Sequence, residues 1–252
     1  MVALGIALLI WALERRFPHR ADWQPAQKLF TLDLLHTVVS SQGVAPLVRA
    51  SLVAAAAGLS SVVGGAGLGL WPSEWPLVLQ LLLAIPVADF GIYWAHRFMH
   101  STDIGWRIHA VHHSPTRLYF MASARSHPLN ALLTTTCQFG SLVLLGASAE
   151  VLTLWSVFMA VNGLLQHANI DFQPRLVSRV LATCDVHRAH HSLHQAGCNY
   201  GNSTMIWDQV FGTYVEAPRE AEDVGAAGYD IPENYLSHLA VPFRLEEFEQ
   251  LH

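Results

Sequence analysis

The sequence predicts an all-α integral membrane protein, with about four transmembrane helices in two hairpins and a cytosolic histidine-rich helical cap. Three observations lead there. Hydrophobic residues make up 52% of the 252 and charged residues only 13%, about half the soluble average of about 25%. A water-facing surface needs more charge, and the competing reading is an unusually apolar soluble bundle. Several apolar runs approach the roughly 20 residues that a spanning helix requires. The basic residues, finally, fall on one side of those runs.

The elements follow in order. "MVALGIALLIWALERRFPHR" begins apolar with no basic leader and no small-residue cleavage site before "ERR", which argues against a cleaved signal peptide. It reads as a short first helix or an interfacial anchor. Residues 50–70, "ASLVAAAAGLSSVVGGAGLGL", are a span rich in small residues that permit close helix packing. Residues 77–95, "LVLQLLLAIPVADFGIYWA", are the strongest span, and Pro86 can kink it without breaking it. Residues 131–166 carry one charge, Glu150, and read as a helical hairpin, 131–148 and 151–166, turning at "GASAE". The chain then becomes polar, and 216–252 read as a soluble tail with short helices. Cys137, Cys184 and Cys198 show no CxxC spacing and are odd in number, so they read as reduced thiols.

Arg15, Arg16, Arg20 and Lys28 precede the 50–70 run. Arg97, Arg107, Arg117 and Arg125 follow 77–95, and Arg175, Arg179 and Arg188 follow the hairpin. The turns at 71–76 and around Glu150 hold no Lys or Arg. Two hairpins entering from one side explain this, and the positive-inside rule makes that side cytoplasmic. The net charge of -5 and the lack of a basic run with interleaved aromatics exclude nucleic acid as a partner.

The histidines gather on that same side. "HRFMHSTDIGWRIHAVHH", residues 96–113, holds five, and "HRAHHSLH", residues 187–194, holds four. His96 and His100 are four apart. His109, His112 and His113 are spaced i, i+3, i+4, and His187, His190 and His191 repeat that spacing. On a helix these positions share one face, the simplest way to present two imidazoles to one metal. Eight exceed what one ion uses; two metals in one pocket employ them, with His127 and His167 completing the shells. Lone histidines in apolar chains are usually hydrogen-bonded core or interface residues, the reading for His19, His36, His238 and His252. A histidine-lined proton path would need ionisable residues inside the spans, where only Asp89 stands out.

No HExxH, GxSxG, P-loop or GxGxxG is present, and neither is the Glu-x-x-His pattern of soluble di-iron bundles. Imidazole suits iron, zinc, copper and nickel alike. On residue types alone, a metal-dependent membrane hydrolase and a non-catalytic metal-binding membrane protein stand beside an oxidase.

"DFGIYWAHR", "HRFMH", "HAVHHS", "HPLN", "HANI", "HRAHH", then "NYGN" and "WDQVFGT" resemble, in order and spacing, the fatty acid hydroxylase and sterol desaturase superfamily of membrane di-iron oxygenases, over residues 86–215. The resemblance implies one such domain over 1–252. Its membrane anchor would take approximately 1–95 and 129–166, its histidine cap 96–128 and 167–215, and its soluble tail 216–252. It implies two Fe ions, for which Zn can substitute, ligated by His96, His100, His109, His112, His113, His187, His190 and His191. His167 would be a further ligand and His127 a tenth, with His194 or Asp171 as the other candidates. Asp89, Asp103, Asp185 and Asn199 would support the ligands, since a ligating imidazole usually donates its other N–H to a carboxylate or carbonyl. Asp103 and Asp185 serve equally as helix caps.

The implied activity is an O2-dependent hydroxylation or desaturation of a C–H bond in a lipid, fatty acyl or sterol, that enters from the bilayer. External electrons would come from a separate ferredoxin or cytochrome b5-like protein with its reductase, because the chain has no flavin, haem or nicotinamide motif of its own. A bacterial inner membrane is the expected location. Trp207, Asp208 and Gly212 are expected to lock the tail against the histidine domain. Tyr93, Trp94 and Trp106 read either as headgroup-level anchors or as lining of the substrate entrance.

Overall fold

The computed structural model describes residues 2–24, 27–63, 68–195, 197–218 and 222–250, with the side chains of 2–4 and 59–63 excepted. Among the described residues the elements are helical, joined by isolated β-bridges such as Pro18 to Ile170. The order is α1 (Val2–Arg16), α2 (Gln27–His36), a π-helical segment (Thr37–Val44), α3 (Ala45–Val63), α4 (Leu77–Ser101), α5 (Asp103–His113), α6 (Pro128–Leu145) and α7 (Ala149–Gln166). Four shorter helices follow: α8 (Arg175–Ser178), α9 (Cys184–His190), α10 (Ile206–Phe211) and α11 (Tyr235–Arg244).

Among the described residues four helices are long and apolar enough to cross a membrane: Gln27–Gly58, Leu77–Ser101, Pro128–Leu145 and Ala149–Gln166. Their outward faces carry exposed Leu79, Leu82, Phe90, Leu132, Leu144 and Val157, as a lipid-facing surface requires. The first differs from the span expected at 50–70. It begins at Gln27 and runs unbroken through the π-helical segment, whereas residues 64–67 of the expected run lie outside the described residues. Asp33, His36 and Ser40 lower the hydropathy of its first half, yet all three point inward and are buried. The hairpin turns where expected, at Gly146, which takes the left-handed φ of 94° that ends α6.

The bundle core joins α4, α6 and α7 through Ala84, Ala88, Phe139, Leu142, Val151 and Trp155. Gly91 lets α4 and α6 touch: a Cβ there would stand 2.2 Å from the Cys137 carbonyl oxygen. The two turn regions meet, since Leu68 N donates to Leu144 O and Trp71 N to Leu145 O. Both hairpins therefore turn at one end of the bundle, and the histidines lie at the other.

At that histidine end α4 outruns its expected limit by one and a half turns, to Ser101, and so carries His96 and His100 beyond the bundle. Thr102 caps α5 by accepting from Gly105 N at 3.1 Å. Gly105 lies so close to Met99 that a Cβ would come within 2.6 Å of its Cα. This tight reversal folds α5 back onto α4. The tail contributes α11, whose Val241 packs with Ala110, Val111 and Ile231 on the outer side of α5.

Candidate metal centre

The α4–α5 reversal faces His96 and His100 toward His109 and His113, and α9 closes over them with His190. Ligating atoms of these five lie within 4.8 Å of one another, and so do those of a second group, His112, His167, His187 and His191. Helical spacing explains the division. On α5 and on α9 the i, i+4 pair goes to one group and the residue between them to the other, so both helices serve both groups. The groups abut: the His113 and His191 rings stack with centroids 4.2 Å apart.

The outer nitrogens identify the tautomers. His96 Nδ1 donates to Tyr200 O at 2.8 Å, His190 Nδ1 to Cys198 O at 2.7 Å and His109 Nδ1 to Asn130 Oδ1 at 2.8 Å. His112 Nδ1 donates to Arg125 O and His167 Nδ1 to Gly163 O, each at 3.1 Å. Each of these five rings spends its proton outward, which leaves Nε2 as a lone pair facing inward. His96 Nε2 and His109 Nε2 then meet at 3.0 Å, and His112 Nε2 and His167 Nε2 at 3.4 Å. Two acceptors that close repel unless a cation lies between them. Ligands about 2.1 Å from one metal stand about 3.0 Å apart at right angles. Nε2 of His100, His113 and His190 is buried with no partner at all, a costly arrangement for a polar atom.

Burial also keeps the rings neutral. Desolvation lowers His112 and His190 to about 4. It holds His109, His113, His167, His187 and His191 well below the usual imidazole value, with neighbouring histidines adding to the effect. The donor set is thus neutral, buried and convergent, and it fits two metal ions.

Nine of the ten sequence-predicted ligand positions are brought together. His127 is not among them: it is the N-cap of α6, its Nδ1 accepting from Leu129 N at 3.0 Å. The other candidates stand apart as well, His194 exposed and Asp171 at the surface beside His19. Asp103 is exposed in the first turn of α5, and Asp185 accepts from the Ser178 and Thr183 hydroxyls at the start of α9. Neither hydrogen-bonds a grouped histidine. Asn199, at φ 53°, donates to Val186 O and Val215 O and so seats the loop whose Cys198 carbonyl holds His190.

The "NYGN" loop is clamped by two buried carboxylates. Asp208 accepts from Tyr200 N and Gly201 N, both at 2.7 Å, and Asp89 accepts from Asn202 N, Ser203 N and Ser203 Oγ. Their effect reaches His96 through the Tyr200 carbonyl. Trp207 Nε1 donates to Pro86 O at 2.8 Å and joins this clamp to the bundle. Tyr93 belongs to it too, buried with its hydroxyl 3.0 Å from Thr213 Oγ1, while Trp94 is exposed and Trp106 lies against His100 and His113. Sequence reading missed the acceptors. Asn130, in "HPLN", was open to notice as a side chain, but the carbonyls of Arg125, Gly163, Cys198 and Tyr200 have no residue-type signal. His36 and His238 are buried and paired, Nε2 to Nδ1 at 2.9 Å; His252 lies outside the described residues.

A cavity of about 310 Å³ opens from His96, His109, His112, His167 and His187 into the bundle between α3, α6 and α7.

A family model described as fatty acid hydroxylase matches residues 81–213. The chain belongs to the fatty acid hydroxylase family. All nine grouped histidines lie in the matched stretch. Among curated relatives, the chain is 33% identical over 248 residues to the ornithine lipid hydroxylase OlsE of Rhizobium tropici, covering 96% of this chain and 75% of that protein. It is 29% identical to methylsterol monooxygenase 2-2 of Arabidopsis thaliana, over 56% of this chain and 54% of the relative. It is 30% identical to the alkylglycerol monooxygenase of Danio rerio, over 57% and 31%. The chain therefore spans about half or less of these last two. No solved structure matches. For this fatty acid hydroxylase family member, α1 to α3 lie outside the family match.

Proposed function

We propose that this protein is an O2-dependent di-iron membrane oxidase that hydroxylates or desaturates a C–H bond of a lipid. The observation that carries the reading is the convergence of two abutting groups of buried, neutral histidines at the inner end of a cavity that runs into the membrane bundle. Two irons held there would supply activation of dioxygen and oxidation of an unactivated C–H bond. His96, His100, His109, His113 and His190 would hold one, and His112, His167, His187 and His191 the other. Family membership and relatives named as lipid hydroxylases and monooxygenases support the same chemistry.

The protein's own contribution is to orient and to exclude. Outward hydrogen bonds to Tyr200, Asn130, Arg125, Gly163 and Cys198 fix the ring planes and direct each Nε2 inward. The bundle keeps the reacting carbon away from water and presents it at the His96–His109–His112 end of the cavity. Electrons come from a separate ferredoxin or cytochrome b5-like protein with its reductase, docking at the histidine end. The arginines near that end support the reading of it as the cytoplasmic face of a bacterial inner membrane. The chain acts as one unit, with an anchor, a histidine cap and a tail that braces α5.

The test compares total lipids from aerobic cells expressing the wild type and His190→Ala, with iron and a suitable reductase shown to be present. A lipid that gains one oxygen, or loses two hydrogens, only with the wild type is the expected result. A lipid that is cleaved instead would replace the oxidase by a metal-dependent hydrolase.

A further inference from the structure

The cavity is mostly apolar, yet it carries polar side chains where an alkyl chain would want none. Away from the histidines it is lined by Gln42, Arg49, Thr135, Gln138 and Ser156, with Phe139 and Met159 between them. Arg49 lies in α3, inside the membrane-crossing stretch Gln27–Gly58. Its guanidinium sits over the Phe139 ring, 5.3 Å from the centroid. Among the described residues it meets no carboxylate, and no Asp or Glu lines the cavity. A charged side chain in a span is costly and is found where it meets a partner or a functional ligand. Here the protein supplies the aromatic face and no anion.

We propose that the cavity holds its lipid substrate by an anionic group, a carboxylate or a phosphate, bound to Arg49 and the Gln138 amide, so that the enzyme selects acidic amphiphiles. The inference rests on the lipid-oxidase reading and refines its substrate. Geometry on α6 links the two ends of the cavity. Asn130, which accepts from His109, stands in line with Thr134 and Gln138 at i, i+4 and i+8 on one helix face. From Asn130 to Phe139 the helix rises about 14 Å. The anion is thus held a fixed distance from the histidines, and the fork of Arg49 is suited to either oxyanion. Such a substrate keeps its charge inside the protein and its remaining apolar part toward the bilayer.

The experiment measures equilibrium binding of radiolabelled hexadecanoate, hexadecyl phosphate and hexadecanol to the metal-loaded protein in a non-ionic maltoside detergent. Anaerobic conditions prevent turnover. The wild type is expected to bind one or both anions at least tenfold more tightly than the alcohol. Arg49→Gln brings the anions to the alcohol's level, and Arg49→Lys retains most of the preference. Preference for hexadecanoate alone identifies a carboxylate substrate; preference for the phosphate alone identifies a phosphorylated one. Equal binding of all three by the wild type, or an undiminished preference in Arg49→Gln, overturns the proposal. Should Arg49→Gln fail to accumulate, the wild-type comparison still decides, with Gln138→Leu expected to weaken anion binding severalfold and leave the alcohol unchanged. Anion selectivity without an oxidised lipid in cells would retire the oxidase reading and leave this site standing. An oxidised lipid without anion selectivity would retire the site alone.

Discussion

Arg125 grips Asp33 with two hydrogen bonds, Nε to Oδ1 at 2.7 Å and Nη2 to Oδ2 at 3.1 Å, and both side chains are shut off from solvent. Tyr119 donates its hydroxyl to the same carboxylate. The backbone carbonyl of Arg125 accepts from His112 Nδ1, so the ion pair ties α2 to the loop that seats a proposed metal ligand. Removing one partner strands a buried charge, which costs about 3–5 kcal/mol. Asp33→Asn and Arg125→Leu should each lower stability by that order in thermal unfolding. Each should also lose metal from the His112 group before the His96 group.

The five outward hydrogen bonds predict a graded effect on metal retention. Asn130→Leu leaves His109 Nδ1 without its acceptor and should weaken metal binding about 10–100-fold. Asn130→Asp keeps an oxygen in place and should bind metal more tightly than Asn130→Leu. Chelator-induced metal release from the two variants and the wild type checks the order.

His127 should behave as a cap and not as a ligand. His127→Ala is expected to keep full metal content while losing on the order of 1 kcal/mol of stability from the start of α6. Metal analysis and thermal unfolding of one preparation check both halves.

Glu14 predicts a pH effect of its own. Its carboxyl is buried and accepts from Phe120 N and Asn169 N, both at 2.8 Å, and burial raises it from 4.5 to about 7. Between those values the folded state holds a proton that the unfolded chain has released, so this group's contribution to stability falls as pH rises through the window. Glu14→Gln stays neutral and can accept both bonds through its side-chain oxygen. It should therefore gain on the wild type above pH about 7 and converge with it below about 4.5. Thermal unfolding of the pair across pH provides the comparison.

The buried histidines act in the opposite sense. His112 and His190 are lowered to about 4, whereas an unfolded imidazole titrates near 6.5. As pH falls from about 6.5 to about 4 the unfolded chain takes up protons that the folded one refuses, and stability declines. Thermal unfolding of the metal-free protein should track that same window, with little change above it.

Much of this arrangement is legible in the sequence because it is written in helical periodicity. The i, i+4 histidine pairs, the strong run at 77–95 and the turn at "GASAE" depend on neighbours along the chain. What was not legible depends on contacts across it. The span beginning at Gln27 hides Asp33 and His36 on an inward face, so local hydropathy understates it. His127 sits in a histidine-rich context yet serves a helix end. The division into two groups follows from the tight reversal at Gly105, which places His109 and His113 over α4 and turns His112 toward α7. Arg49, just before a run of small residues, acquires its meaning from the cavity alone.

The central claim is that each chain holds two metal ions, one per histidine group. It is tested most directly by reconstituting the purified protein anaerobically with ferrous iron, removing loose metal and measuring iron per polypeptide. Two irons are expected for the wild type, with His100→Ala and His187→Ala each depleting one site more than the other. One iron or none in a folded wild-type protein, or two retained in the His100→Ala, His187→Ala double variant, would contradict the account.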